Sequence, residues 1–165
     1  VGTATVPRAR APFAALALSA LIGAWVFGDL RAEAGLWWVL WLVLVVITSD
    51  VAGYFAGKAL GGPKFWPRIS PKKTWSGTVA GWIGAACVGA AFAGPLGAGT
   101  TLIAVSVLVG FAGQMGDIAE SAVKRMQGVK DSSNLIPGHG GVLDRFDAML
   151  GAALAVGLLR ALDAV

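Results

Sequence analysis

Long apolar segments are the feature that most restricts what this chain can fold into. Residues 12–28 contain no charged side chain, and a helix of about 20 such residues crosses the hydrocarbon core of a bilayer. Further apolar segments start at Leu36 and cover residues 77–93, 100–116 and about 142–162. The pattern predicts an all-α integral membrane protein with about five transmembrane helices.

The composition supports a membrane protein. Only 13% of the 165 residues are charged, whereas a soluble domain carries roughly 25% charged residues. The single cysteine, Cys87, lies in an apolar segment, which excludes a disulfide framework and a thiolate metal cluster. We expect residues 1–165 to form one membrane domain without a cleavable signal peptide.

The basic side chains indicate the topology. With five spans, the loops 61–75 and 127–141 lie on the same side as the N-terminus, and this side receives eleven of the 13 lysines and arginines. The eleven are Arg8, Arg10, Lys58, Lys64, Arg68, Lys72, Lys73, Lys124, Arg125, Lys130 and Arg145. The positive-inside rule places that side in the cytoplasm. Topology thus explains the net charge of +4, and we expect no nucleic-acid partner.

Small residues at helical spacing predict that helices pack closely. The sets are Gly53 with Gly57, Gly77 with Gly81, and the series Gly110, Gly113 and Gly116. Such residues let two helix backbones approach each other. They fit either packing within one chain or the face of a homodimer.

Residues 117–147 concentrate the charge of the chain, with five acidic and four basic side chains between apolar segments. Asp117, Glu120, Ser121 and Lys124 are spaced to share one face of a helix. The simplest interpretation of this face is a solvated helix end with a Glu120–Lys124 ion pair. However, Asp117 directly follows an apolar span, and an ionisable group at that depth usually faces a cavity or a partner, here most simply a metal ion.

Asp144 and Asp147 open the last predicted helix on one face. Acidic residues in a first helical turn are favoured by the helix dipole, so a purely structural role is open. The preceding glycines, Gly140 and Gly141, let backbone N–H groups approach a phosphate, although glycines also end helices. His139, the only histidine, could donate to a phosphate or form a hydrogen bond within the loop.

A specific resemblance appears in this segment. From Ser121 the chain reads S-A-V-K-R, four further residues, and then K-D-S-S-N-L-I-P-G-H-G-G-V-L-D-R-F-D up to Asp147. This resembles, at every fixed position, the signature of the phosphatidate cytidylyltransferases (CDP-diacylglycerol synthases). The earlier segment S-P-K-K-T, residues 70–74, is similar to that family too, as is Asp50. The resemblance covers about 48–150, and because family members are usually longer, the chain resembles a short or truncated member.

The chain departs from the family pattern at two positions. Ser76 stands where the family often has Glu, and Ala148 stands where it often has Ser or Thr. Neither position belongs to the fixed acidic core, so these departures do not exclude activity.

The resemblance implies an enzyme of phospholipid biosynthesis. Such a transferase moves a cytidylyl group from CTP to phosphatidate and releases pyrophosphate. Convergent carboxylates with phosphate substrates suit Mg²⁺ as cofactor, because it is a hard cation that takes oxygen ligands, and a second cation such as K⁺ is a further candidate. The resemblance also implies a multi-pass protein of the inner (plasma) membrane, surrounded by membrane lipids, with the catalytic loops facing the cytoplasm.

The residue pattern and the resemblance together predict roles for individual residues, and the resemblance itself favours substrate contacts in residues 70–74. The predicted metal ligands are Asp117, Asp144 and Asp147. The predicted catalytic residues are Asp144, Asp147, Lys124 and Arg145. Substrate contacts fall to Ser70, Lys72, Lys73, Thr74, Arg125, Lys130, His139, Gly140 and Gly141. The alternative for residues 70–74 is a basic patch that holds anionic headgroups.

Other functions remain open at this point. A CTP-dependent lipid kinase would release CDP instead of pyrophosphate. A non-catalytic membrane protein could use the same residues to bind lipid or ions. An ion transporter is disfavoured because its acidic residues would spread through the depth of the bilayer, whereas here they gather at helix ends.

Overall fold

The computed structural model describes residues 10–126, 128–129, 132, 141 and 143–163, and among these the side chains of residues 10–13, 143 and 145 are not described. The chain is mainly helical. Its elements are α1 (Arg10–Asp29), a π-helical segment (Leu30–Ala34), α2 (Leu36–Leu60), β1 (Lys64–Trp66), β2 (Ser70–Thr74), α3 (Trp75–Ala93), α4 (Thr101–Met126) and α5 (Leu143–Ala161).

Within this part of the chain, four helical stretches are long and apolar enough to cross a membrane. They are Ala14–Ala34, Leu36–Leu60, Trp75–Ala93 and Thr101–Met126. The membrane class is therefore confirmed, and α4 runs on to Met126 as its helical pattern predicts. The helix α5 is present but is not among the four, so a count of five spans stays a prediction.

Two connections differ from the predicted loops. The polar turn expected at 29–35 is a π-helical segment, closed where the Gly35 N–H donates to Leu30 O at 3.1 Å. The loop expected at 61–75 contains an antiparallel pair of strands, in which Lys64 pairs with Thr74 and Trp66 with Ser70. Prolines that exclude a helix are tolerated in such a pair because both of its strands are edges.

The helices pack in sequence, α2 on α3, α3 on α4, α4 on α5, and α5 back on α1. The predicted small residues make these contacts inside the chain. A methyl group at Gly77 would lie 2.5 Å from Gly53 O, which brings α2 against α3. A methyl group at Gly116 would lie 2.6 Å from Asp147 O, which brings α5 against α4. Packing within the chain therefore explains these glycines, and a homodimer stays a prediction.

A buried hydrogen bond links α2 to α4 inside the apolar core. Trp41 is fully buried, and its indole Nε1 donates to Ser106 Oγ at 2.8 Å. Ser106 Oγ in turn donates to Leu102 O at 2.7 Å. The pair satisfies two polar groups that no water could reach in a bilayer.

Removing this bond gives a first testable prediction. We expect Trp41→Phe to lower the free energy of unfolding by about 1–2 kcal/mol, because it deletes one buried hydrogen bond and leaves a small void. Denaturant titration in mild detergent measures the change. Trp25, which is exposed on α1, is the matched control, and an equal loss from Trp25→Phe would contradict the role of the Ser106 contact.

Candidate active site

A cavity of about 510 Å³ opens among α2, the strand pair, α3 and α4. Its lining includes four lysines, Lys58, Lys64, Lys72 and Lys73. Two acids, Asp50 and Asp117, also line it. The excess of positive charge makes the cavity suitable for an anion such as a phosphate.

Lys73 connects the strand pair to α4 at the inner side of the cavity. Its ammonium forms an ion pair with Asp117 Oδ2 at 2.5 Å and donates to the backbone oxygen of Gln114 at 3.3 Å. Ser121 Oγ contacts the other oxygen of Asp117 at 3.4 Å. Lys73 and Asp117 are only partly exposed, so the pair is held in place and partly shielded from solvent.

Gln114 supports this arrangement from within the bundle. Its buried amide nitrogen donates to Ser49 Oγ at 3.2 Å and to Thr78 O at 3.4 Å. Its amide oxygen accepts from Trp82 Nε1 at 3.1 Å. One side chain thus links α2, α3 and α4 directly beneath the Lys73–Asp117 pair.

Lys124 joins α4 to α5 in a second polar cluster. Its ammonium contacts Glu120 Oε2 at 2.8 Å and Asp144 Oδ1 at 2.7 Å. The pairing of Glu120 with Lys124 one turn apart was one of the expected arrangements. The additional contact to Asp144 makes Lys124 a bridge between two helices.

Asp144 accepts hydrogen bonds from two described residues that precede α5, Ser132 and Gly141. Both of its oxygens accept hydrogen bonds, from Lys124, from the N–H and the hydroxyl of Ser132, and from the Gly141 N–H at 2.6 Å. Burial alone would raise the pKa of the Asp144 carboxyl. The hydrogen bonds from Lys124, Gly141 and Ser132 outweigh burial, and they hold that pKa well below its ordinary value.

Asp147 lies one turn further along α5, where that helix packs closely against α4. A methyl group at Gly116, the residue before Asp117, would lie 2.6 Å from the backbone oxygen of Asp147. Burial, followed by the negative charge of Asp117, raises the pKa of Asp147 to about 8. Asp147 and Asp117 are therefore close enough to repel each other.

Glu120 completes this group of acids. It is fully buried, and its Oε1 has no hydrogen-bond partner among the described residues, although Oε2 is paired with Lys124. A buried carboxylate oxygen without a partner is costly unless a cation or a proton compensates it.

The donor set of Asp117, Glu120 and Asp147 fits a hard cation. Mg²⁺ prefers carboxylate oxygens and keeps part of its water shell. Among the described residues, no three acidic, histidine or cysteine side chains already converge as metal ligands. The fit therefore rests on the chemistry of the three carboxylates and on the unpartnered oxygen of Glu120.

The structure brings together some of the predicted site residues and separates others. Lys72, Lys73 and Thr74 line the cavity. Thr74 is also the N-cap of α3, since its Oγ1 accepts the Gly77 N–H at 3.2 Å. Ser70 pairs with Trp66 in the strand pair and is not part of the cavity lining.

The remaining predicted residues lie in or next to the segment between α4 and α5. Arg125 is exposed, and its guanidinium reaches the backbone of Val129. The Gly141 N–H is directed at Asp144. Outside the described residues lie Lys130, His139, Gly140 and the side chain of Arg145, so their roles stay predictions.

Sequence reasoning missed several residues that the fold places at the site. Gln114 lies three residues before Asp117 in an otherwise apolar segment. A single polar amide among apolar residues could have indicated a buried hydrogen-bonding role. Glu120 was placed on the helix face but not among the ligands. Lys58 and Lys64 were counted only as topology signals, although both line the cavity.

Comparison with known proteins identifies relatives that share one name. Three similar curated proteins carry the name phosphatidate cytidylyltransferase. That of Brucella suis biovar 1 (strain 1330) is 45% identical over 158 residues, which is 93% of this chain and 55% of that protein. That of Bacillus subtilis (strain 168) is 41% identical over 123 residues, covering 72% and 45%. That of Staphylococcus aureus (strain COL) is 39% identical over 132 residues, covering 78% and 50%.

The chain spans about half the length of the curated relatives that it matches. The sequence model of the cytidylyltransferase family matches residues 4–162, nearly the whole chain. The resemblance found in the signature segment is therefore confirmed at the level of the whole chain. This membrane protein, with its lysine-lined cavity beside buried carboxylates, belongs to the cytidylyltransferase family.

Proposed function

We propose that this chain forms the catalytic core of a phosphatidate cytidylyltransferase, which makes CDP-diacylglycerol from CTP and phosphatidate. The observation that carries the proposal is the contact between two polar regions at one end of the bundle. The lysine-lined cavity meets the carboxylates of α4 and α5 at the Lys73–Asp117 pair. The names of the similar curated proteins support the same reaction.

The reaction requires that the two substrates be positioned and that the negative charge of their phosphates be neutralised. An oxygen of the phosphatidate phosphate forms a bond to the α-phosphorus of CTP. The bond from that phosphorus to the oxygen that bridges it to the β-phosphate breaks, and pyrophosphate leaves with the electron pair. A phosphate monoester is already anionic at neutral pH, so no strong general base is required. Bringing two polyanions together is the main obstacle, and fixed cations remove it.

Several side chains would supply these positive charges. Lys72 and Lys73 would bind phosphate groups in the cavity. Lys124, oriented by Glu120 and Asp144, would bind a phosphate at the α4–α5 side. Further phosphate contacts would come from the predicted basic and loop residues Arg125, Lys130, His139, Gly140 and Arg145.

Mg²⁺ would be held by Asp117, Glu120 and Asp147, and when bound it would neutralise charge on the triphosphate. Asp144 remains a candidate ligand, but in this arrangement its oxygens already accept hydrogen bonds from four donor groups. A second cation such as K⁺ is a further candidate for the same group of acids.

We propose that the site faces the cytoplasm from the inner (plasma) membrane. The lysine-lined cavity lies at the ends of α2 and α4 that the basic side chains assign to the cytoplasmic side. CTP is a cytoplasmic nucleotide, so this orientation would give it direct access to the cavity.

An assay with CTP labelled in its α-phosphate tests the function. The chain in detergent micelles with phosphatidate and Mg²⁺ is expected to move the label into the lipid phase and to release pyrophosphate, and a chelator should stop both. Release of CDP, with the label remaining in water, would indicate a lipid kinase instead. Folded protein without any turnover would contradict the proposal.

A further inference from the structure

Two lysines at the mouth of the cavity have no role in the family signature. Lys58 lies two residues before the end of α2, and Lys64 begins β1. Both are exposed and both line the cavity. Among the described residues, neither forms an ion pair with an acid. They therefore present uncompensated positive charge at the entrance.

On its α2 side the cavity borders an exposed apolar surface. Tyr54 on α2 lines the cavity and is nevertheless 61% exposed. The neighbouring apolar side chains of Phe55 and Leu60 are 64% and 76% exposed at the end of a membrane-spanning helix. Large apolar side chains exposed on such a helix face acyl chains.

Two half-exposed tryptophans adjoin the strand pair. Trp66 and Trp75, at its two ends, are about half exposed. Trp side chains concentrate at the boundary between hydrocarbon and headgroups. The ammonium of Lys58 lies 5.9 Å from the ring centroid of Tyr54, over the wall of the cavity. The free lysines thus stand where a lipid headgroup would meet the opening.

We propose that Lys58 and Lys64 form a capture site for the phosphate monoester headgroup of an anionic lipid that enters the cavity from the bilayer. The lipid passes between the end of α2 and the strand pair and moves inward to Lys73. This inference rests on the proposed function, since it names how the lipid substrate of that site is recognised. A phosphate monoester carries nearly two negative charges at pH 7, whereas a phosphodiester lipid carries one, so paired lysines favour the monoester.

Surface-dilution kinetics tests the capture site. The chain is assayed in mixed micelles in which the mole fraction of phosphatidate and the concentration of CTP are varied separately. We expect Lys58→Gln and Lys64→Gln each to raise the KM for phosphatidate about fivefold, and the double variant about 25-fold, because one lysine at a membrane surface contributes about that factor. The KM for CTP should stay unchanged.

Arg68→Gln is the matched control. Arg68 lies in the turn between β1 and β2, is exposed, and is not part of the cavity lining. The substitution Arg68→Gln removes one positive charge from the same segment and should change the KM for phosphatidate less than twofold. An equal effect in Arg68→Gln would mean that only general surface charge matters. A rise in the KM for CTP alone would assign the lysines to the nucleotide. Either result would overturn the capture site.

A binding measurement separates this inference from the proposed function. Native mass spectrometry of the chain from micelles that hold equal amounts of phosphatidate and phosphatidylglycerol counts the retained lipids. We expect the unmodified chain to retain phosphatidate preferentially and the double variant to lose that preference. Retention that depends on the lysines, without transfer of label from CTP, would support the capture site and contradict the proposed function. Normal transfer with lysine-independent retention would overturn the capture site alone.

Discussion

Asp117→Asn is expected to lower kcat about 10³-fold, close to 4 kcal/mol of transition-state stabilisation. Among the described residues, Asp117 is the one carboxylate that links both polar regions, since it pairs with Lys73 and its charge acts on Asp147. An amide at this position would bind a cation weakly and would no longer orient the Lys73 ammonium. Steady-state assays at saturating CTP and phosphatidate measure the effect.

The fold should tolerate this substitution. Removing the negative charge relieves its repulsion with Asp147, and about a third of the Asp117 side chain is exposed. Asp29→Asn is the matched control, because Asp29 also pairs with a base, Arg160 at 2.8 Å, but at the opposite end of the bundle. Asp29→Asn should leave kcat within twofold. Full activity of Asp117→Asn would remove Asp117 from the site.

Gly151→Ala is expected to damage both the bundle and the site. The added methyl group would lie 2.5 Å from Ala112 O and 2.9 Å from Gly116 Cα. These neighbours are backbone atoms, so α4 and α5 must move apart, and overpacking of this kind costs about 1–3 kcal/mol. The same movement separates Asp147 from Asp117, so kcat should fall at least tenfold even in the folded fraction.

Thermal unfolding in mild detergent, together with kcat per folded molecule, separates the two effects. Gly28→Ala is the control, because a methyl group there meets no atom within 4 Å. It should stabilise α1 slightly, since alanine favours a helix over glycine by up to about 1 kcal/mol. If Gly151→Ala kept its stability and its kcat, the close approach of α4 and α5 would not position Asp147.

Much of the fold could be predicted from the sequence because the bilayer imposes simple lengths. Charge-free segments define α1 to α4, and glycine spacing identifies the faces that pack. The strand pair was missed because its prolines exclude a helix but do not by themselves indicate two paired edges. The π-helical segment at Leu30–Ala34 was missed because its hydrogen-bond pattern, such as the bond from the Gly35 N–H to Leu30 O, is set by the folded backbone.

The candidate site was predicted in part. The signature segment indicated Lys124, Asp144 and Asp147, and the helix-face spacing indicated Asp117. The fold brings these residues of α4 and α5 close together. Their individual contacts depend on three-dimensional spacing that a motif does not contain. The sequence could not show that Asp144 binds the Ser132 backbone, that Glu120 is fully buried, or that Lys58 stands at the cavity mouth.

The hydrogen bonds of Gln114 have a consequence for how the protein assembles in a membrane. Gln114 on α4 is satisfied by Ser49 on α2 and by Thr78 and Trp82 on α3. A helix that inserts alone would carry this amide into lipid without partners, where an unpaired polar group costs several kcal/mol. The amide therefore favours association of α4 with the two earlier spans soon after insertion. It also selects one axial and rotational register among three helices whose other contacts are mostly apolar and could slide.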